Sequence, residues 1–176
     1  MARLLFFHKK QYICIALNFN KMKRILFLFL MCVTFSINAQ DEEDYISNLN
    51  WLTDLSEAKK ESVASQKPIL IYFTGSDWCA PCKMLKKDFF HTEKFEAKAD
   101  QFVLLMIDMP RRIDIITEEQ KKKNQKVVNK YNTSGGYPNL VALNDQLQII
   151  GELSGYTFLR ETDRHYAFID AILENY

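Results

Sequence analysis

Residues 69 to 82 constrain this chain more than any other stretch. They read Ile-Leu-Ile-Tyr-Phe, then Thr-Gly-Ser-Asp-Trp, then Cys-Ala-Pro-Cys. Ile69 to Phe73 is an unbroken apolar run, the pattern of a strand buried on both faces. Thr74, Gly75, Ser76 and Asp77 interrupt it and turn the chain. Past Trp78 and the cysteine pair the spacing becomes helical, with Leu85 and Phe89 on one side and Lys83, Lys86 and Lys87 largely on the other. The segment is therefore a strand, a tight turn, and a Cys-x-x-Cys at the start of a helix.

That placement favours thiol chemistry. A thiol at a helix N-terminus faces unpaired backbone N–H groups and the positive end of the helix dipole, and both stabilise thiolate over thiol. Cys79 falls at that end and is assigned as the nucleophile, with the expectation that it is the more exposed of the two. Cys82 lies one turn on, close enough to attack a mixed disulfide on Cys79 and release the partner, so it is assigned as the resolving thiol. Pro81 sits in the first turn, where a missing N–H costs little and a fixed φ helps. Two other uses of such a pair stay open. A structural disulfide closing so short a loop restrains the unfolded chain little. A structural zinc site needs four ligands, and beyond the leader only His91 and His165 remain as soft ligands, with no second cysteine pair.

The run Trp78-Cys79-Ala80-Pro81-Cys82-Lys83 resembles the active site of the thioredoxin superfamily, whose commonest version has Gly where Ala80 stands. With Phe73-Thr74-Gly75-Ser76-Asp77 before it, the segment is similar to that of exported bacterial thioredoxin-like proteins. It is also similar to the C-terminal thioredoxin-like domain of the transmembrane electron-transfer protein DsbD. The resemblance runs from about Asn50 to the C-terminus. It includes Ile107-Asp108-Met109-Pro110-Arg111, the segment from Glu118-Glu119-Gln120-Lys121, Lys130-Tyr131 and Gly136-Tyr137-Pro138.

The resemblance implies an α/β thioredoxin fold, a mixed sheet of about four strands sandwiched by helices, with Cys79–Cys82 as the redox-active disulfide. It implies a cis peptide bond before Pro138, packed beside the dithiol, with Tyr137 offering backbone hydrogen bonds to an incoming peptide. Trp78 is implied to shield the dithiol and contact partners. The plainer alternatives are a trans Pro138 that starts a strand and a Trp78 that packs in the core. The family's buried aspartate falls at or near Tyr72, and the lysine close to that aspartate has no counterpart in the uncharged run Phe102 to Ile107. The proton acceptor for Cys82 is therefore open, with water and Asp77 as the candidates.

At 176 residues, with 48% apolar and 26% charged residues, the chain supports one domain with a proper core. Its net charge of +1 conceals a split. Residues 1 to 39 hold six basic residues and no acid, leaving 17 basic against 22 acidic residues in the remainder, a balance of −5. Such a body offers no case for nucleic-acid binding. Lys21, Lys23 and Arg24 followed by the apolar Ile25 to Phe35 and by Ser36-Ile37-Asn38-Ala39 have the layout of a signal peptide, 22–39, cleaved after Ala39. The apolar run is short for a membrane span, so no stable span is expected once the signal is removed. Met31 is a poor fit to the small residue that lipid attachment at Cys32 would want. Met22 stands inside the basic cluster, and residues 1–21 read as a mis-called extension. Removal of the leader takes Cys14 and Cys32 with it, and an exported chain left with one Cys-x-x-Cys uses it for redox work more readily than for stapling.

Residues 40–49 read as an acidic linker and 50–176 as the thioredoxin-like domain. A helix with Thr53 as N-cap runs to about Ser65, and Gln66-Lys67-Pro68 leads into the first strand. The active-site helix continues to Phe90 or a little beyond, and a short segment surrounds Phe95. Phe102 to Ile107 is a second strand, parallel to the first. Residues 108–117 form a loop, longer than thioredoxin has there, before a helix over 118–131. Its Lys121, Lys122, Lys123, Lys126 and Lys130 suit either a docking patch or, more simply, a solvated face with Glu118–Lys122 and Glu119–Lys123 pairs. Asn139 to Leu143 and Leu147 to Ile150 make an antiparallel hairpin, and the last helix presents Tyr166, Ile169, Ile172 and Leu173.

The expectation for function is an exported, periplasmic thiol–disulfide oxidoreductase that reduces protein disulfides through Cys79 and Cys82. A thiol oxidant and a non-enzymatic client- or copper-binding module of the same fold are the alternatives. No cofactor is expected, since no Gly-rich nucleotide fingerprint is present, and no metal. The partners expected are protein disulfide substrates and a membrane thiol-electron carrier of the DsbD kind as reductant, with the chain itself a monomer.

Overall fold

A computed structural model describes residues 49–176; the expected leader and most of the acidic linker lie outside the described residues. Five helices and four strands follow one another there. The helix α1 (Leu55–Ser65) leads into β1 (Ile69–Thr74). The active-site helix α2 (Ala80–Leu85) runs on as a π-helical turn over Lys86–Phe90, and α3 (Glu93–Ala99) and β2 (Val103–Asp108) come next. A loop then leads to α4 (Glu118–Tyr131), the hairpin β3 (Asn139–Leu143) and β4 (Ile149–Ser154), and α5 (Asp163–Asn175).

The sheet order is β2-β1-β3-β4. β1 is parallel to β2 and antiparallel to β3, and β3 is antiparallel to β4. β1 thus lies inside the sheet, and its side chains alternate between two cores, as the unbroken apolar run predicts. Leu70 and Tyr72 join Cys79, Cys82, Leu85, Phe89, Phe95, Tyr166 and Ile169, under α2, α3 and α5. Ile69, Ile71 and Phe73 join Ala58, Leu105, Val127 and Tyr131, under α1 and α4. All six residues of β1 are buried. Burying a large apolar side chain contributes about 2 kcal/mol, so β1 is the anchor of both layers.

Three local expectations change. The N-cap of α1 is Asp54, not Thr53: the Asp54 carboxylate accepts the Ser56 N–H at 2.8 Å and an ion pair from Lys123 at 3.1 Å. Thr53 gives only its carbonyl, to the Gln120 side chain at 2.9 Å. The last strand runs over Ile149–Ser154 rather than Leu147–Ile150. The Asn144 side chain accepts from both Gln146 and Gln148 N–H, and Leu147 takes a left-handed φ of 62°, so the turn consumes Leu147. Gly151 then lets α5 close on the strand, since a Cβ there would lie 2.6 Å from Ile172 and 2.9 Å from Phe168. The active-site helix does reach Phe90, but by a π turn: the His91 N–H bonds the Lys86 carbonyl at 2.9 Å, five residues back.

Candidate functional site

β1 delivers the chain to the end of the sheet, and the turn that follows builds the site. The N–H groups of Trp78 and Cys79 both bond the Gly75 carbonyl, at 3.2 and 2.8 Å. Gly75 has no substitute in this arrangement, because a Cβ would stand 2.3 Å from the indole of Trp78. The indole lies back over the turn, and its Nε1 donates to the Met109 carbonyl at 2.8 Å. Trp78 is half-buried, so it is neither a plain core residue nor wholly solvent-facing.

Cys79 is the N-cap of α2 and is bonded to Cys82 as a disulfide. Its Sγ also accepts the Cys82 backbone N–H at 3.2 Å, one of the donors that a helix start leaves unpaired. A thiolate at Cys79 would turn that contact into a charge-assisted bond. In this oxidised state the two sulfurs are buried nearly alike: Cys79 is 3% exposed and Cys82 1%. The expected difference in exposure is therefore slight.

Tyr137 and Pro138 reach this end of the sheet from the far side of the sequence. Their peptide bond is cis. Asn139 pairs in register with Phe73, so Pro138 stands at the same end of the sheet as the turn after β1. The Tyr137 ring meets Trp78 edge-on, with centroids 5.3 Å apart. The fold thus gathers Trp78, Cys79, Cys82, Tyr137 and Pro138 at one end of β1 and β3.

Asp77, the candidate proton acceptor, is committed elsewhere. Its carboxylate accepts the N–H groups of Arg111 (3.0 and 3.1 Å) and Arg112 (2.9 Å). Desolvation pushes its pKa up, but the Arg112 and Arg111 N–H bonds outweigh that and hold the carboxyl below its usual value. Ser76 N–H to the Asp108 carboxylate, at 2.8 Å, ties the turn to the end of β2, where that loop begins. The loop therefore clasps the turn, and the Arg111 guanidinium lies 4.8 Å from the Trp78 ring. Arg112 is paired with Asp114.

Where the resemblance implies an aspartate, Tyr72 is buried, with its hydroxyl donating to the Cys82 carbonyl at 2.9 Å. Burial pushes the phenol above its ordinary range, so it stays protonated and cannot serve as a base at neutral pH. The other candidate soft ligands do not assemble. Among the described residues no three of His, Cys, Asp and Glu come together as a metal site. His165 is buried between Phe89 and Tyr156, with ring centroids at 5.5 and 5.4 Å.

Sequence reasoning missed the clasp by Asp77, the Tyr72–Cys82 bond and the ion pair of Asp88 with Arg160, whose carboxylate also accepts from Tyr156 at 2.7 Å. The first and third join residues far apart in the chain, Tyr72 and Cys82 lie ten apart across the turn, and no local pattern signals any of them. The lysines of α4 divide: Lys123 is spent on Asp54 and on Glu119 at 3.7 Å. No described helix is long and apolar enough to cross a membrane.

Known proteins place the chain. It is 33% identical over 96 residues to the disulfide bond reductase DsbH of Chlamydia pneumoniae, covering 54% of this chain and 56% of that protein. It is 28% identical over 78 residues to the thioredoxin-related protein DsbJ of the same organism, covering 44% of this chain and 22% of that one. The match thus spans about half or less of the length of these relatives. A solved structure described as DsbH oxidoreductase superposes with a TM-score of 0.62 at 25% identity, over 73% of this chain and 86% of that one. A model described as thioredoxin-like matches residues 50–144, and with the mixed four-stranded sheet around β1 it establishes that this chain belongs to the thioredoxin-like family.

Proposed function

We propose that the chain is an exported thiol–disulfide oxidoreductase that reduces protein disulfides through Cys79 and Cys82. The observation that carries the reading is the cysteine at the N-cap of α2, its sulfur accepting the Cys82 N–H at 3.2 Å with its partner thiol three residues on. That position stabilises a thiolate, which is the attacking species in disulfide exchange.

The reaction balances in two exchanges. The Cys79 thiolate attacks one client sulfur; the client disulfide breaks, a Cys79–client disulfide forms, and the displaced client thiolate takes a proton from water. The Cys82 thiolate then attacks Cys79 Sγ; the Cys79–Cys82 bond forms and the second client thiolate leaves. Two electrons pass from the dithiol to the client. With Asp77 held by the Arg111 and Arg112 N–H groups and Tyr72 protonated, the Cys82 proton leaves to water. Trp78, Tyr137 and Pro138 form the surface against which the client segment lies, Tyr137 lending backbone hydrogen bonds.

The reductive direction draws support from Pro81 between the cysteines and from the reductase named among the relatives. Export rests on the basic cluster and apolar run of residues 22–39. An oxidised pair must be reduced again, and outside the cytoplasm a membrane thiol-electron carrier of the DsbD kind fills that role. Insulin reduction in the presence of a small dithiol tests the activity. The protein accelerates precipitation of the insulin chains, and Cys79→Ser does not. Equal rates for the two proteins favour a binding module instead. Acid trapping and mass-adding alkylation in cells test direction: the pair is largely reduced, and becomes oxidised when the carrier is removed.

A further inference from the structure

Tyr72 stands at the middle of β1, paired in register with Met106 on one side and Leu140 on the other. Its backbone is thus fixed from both flanks. Its ring packs against Phe90 at 4.7 Å and Trp51 at 6.0 Å between centroids, and it is 2% exposed. From this rigid base the hydroxyl reaches across the core to the Cys82 carbonyl.

That carbonyl lies one turn before the active-site helix changes from α to π geometry. Its helical donor, the Lys86 N–H, is shared with the Lys83 carbonyl, and the α segment ends at Leu85 in a π turn. A carbonyl has two lone pairs. Here one meets a divided helical donor and the other meets Tyr72. The first turn of α2 is therefore tied to the central strand by a side chain, at the residue that carries the resolving sulfur. Cys79 is held by a different contact, its N–H on the Gly75 carbonyl at 2.8 Å.

We propose that Tyr72 is a positioning residue for the resolving step: its hydroxyl holds the Cys82 backbone so that the thiolate stays aimed at Cys79 Sγ while a client is attached. This deepens the oxidoreductase reading and rests on it. Tyr72 takes no proton and touches no client; it acts through the Cys82 main chain. The sulfur–sulfur attack needs alignment, and a small misplacement of a reacting group slows such steps severely. The first exchange, made by Cys79, meets the Cys82 main chain only through the N–H on its Sγ and not through the carbonyl that Tyr72 holds, so it is slowed less than release.

The test separates the two exchanges with a disulfide-bonded peptide. In a Cys82→Ser background, Tyr72→Phe forms the mixed disulfide within about twofold of the rate with Tyr72 intact. With Cys82 present, Tyr72→Phe slows release of the peptide from Cys79 by about fivefold, as loss of one buried hydrogen bond implies. Placing 4-aminophenylalanine at position 72, which keeps a donor and the ring volume, restores release to within about twofold of wild type. Unchanged release in Tyr72→Phe, equal slowing of both exchanges, or no rescue by the amino variant each overturns the proposal. If Tyr72→Phe does not fold, the amino variant against wild type decides: release slowed as much as the loss of the bond implies overturns it. A Cys82→Ser protein with Tyr72 intact that forms no mixed disulfide at all sinks the oxidoreductase reading itself, a result distinct from any of these.

Discussion

Cys79 and Cys82 are the same chemical group, and their places on α2 make them different. Exposure separates them hardly at all, 3% against 1% in the disulfide state. The N-cap position does the separating, because only Cys79 receives a backbone N–H on its sulfur. In the reduced protein Cys79 is expected to ionise at lower pH than a free thiol. Alkylation against pH, read by mass spectrometry, checks this; modification of Cys82 first reverses the roles. Cys82→Ser keeps the attack and loses resolution, so it is expected to accumulate mixed disulfides on Cys79. Gel mobility with and without reductant detects them, and adducts that require Cys82 contradict the assignment.

Among the elements, the loop from Met109 to Thr117 has more hold on the site than its length suggests. It has no strand or helix of its own, and it is fastened to the turn after β1 by the Asp77 carboxylate and the Trp78 indole. Asp77→Ala removes the acceptor for two N–H groups at once. The expected result is a loop that opens more often, cut severalfold faster by trypsin after Arg111 and Arg112 under native conditions. Asp77→Asn, which keeps an acceptor oxygen, lies between. Because the folded-state pKa of Asp77 is lowered, its contribution is present above the unfolded carboxylate range and is lost as pH falls through the folded value. Cleavage by an acid-active protease at descending pH follows the same loss.

At the scale of the whole molecule, three separate pieces meet around His165: the π turn through Phe89, the segment after β4 through Tyr156, and α5 itself. Burial lowers the imidazole to about 4, and the neighbouring Arg164 charge pushes in the same direction. The unfolded value is near 6.5. Between these values the unfolded chain binds a proton that the folded protein refuses, so stability is complete above about 6.5 and falls as the pH drops toward 4. The loss is up to about 3 kcal/mol. His165→Phe, which suits the aromatic surroundings, is expected to flatten that part of the profile. Urea unfolding at pH 7 and pH 4.5 measures it, and an unchanged difference between the two pH values contradicts the account. Asp54 and Asp88 also titrate below their usual range, but their share is lost at lower pH still.

The sequence by itself determined whatever is local or periodic. The run Ile69–Phe73 has the pattern of a strand covered on both sides, the cysteines after Trp78 have that of the next helix's start, and both are what the fold contains. The expected bounds of α4, 118–131, and of β3, Asn139 to Leu143, are those observed. Tertiary structure decided what depends on partners distant in the chain. Thr53 and Asp54 are both acceptable caps, and Lys123 on α4 settles the choice for Asp54. β4 begins two residues late because the Asn144 side chain consumes the turn, and it runs on through Gly151 because α5 packs there. Asp77 looked like a spare acid beside a thiol, but N–H groups 34 and 35 residues downstream claimed it. Tyr72 stood out only as the place of the family's buried aspartate, and the fold alone set its hydroxyl against the Cys82 carbonyl. A buried polar atom must find a partner wherever the fold supplies one, and spacing along the chain does not encode which partner that is.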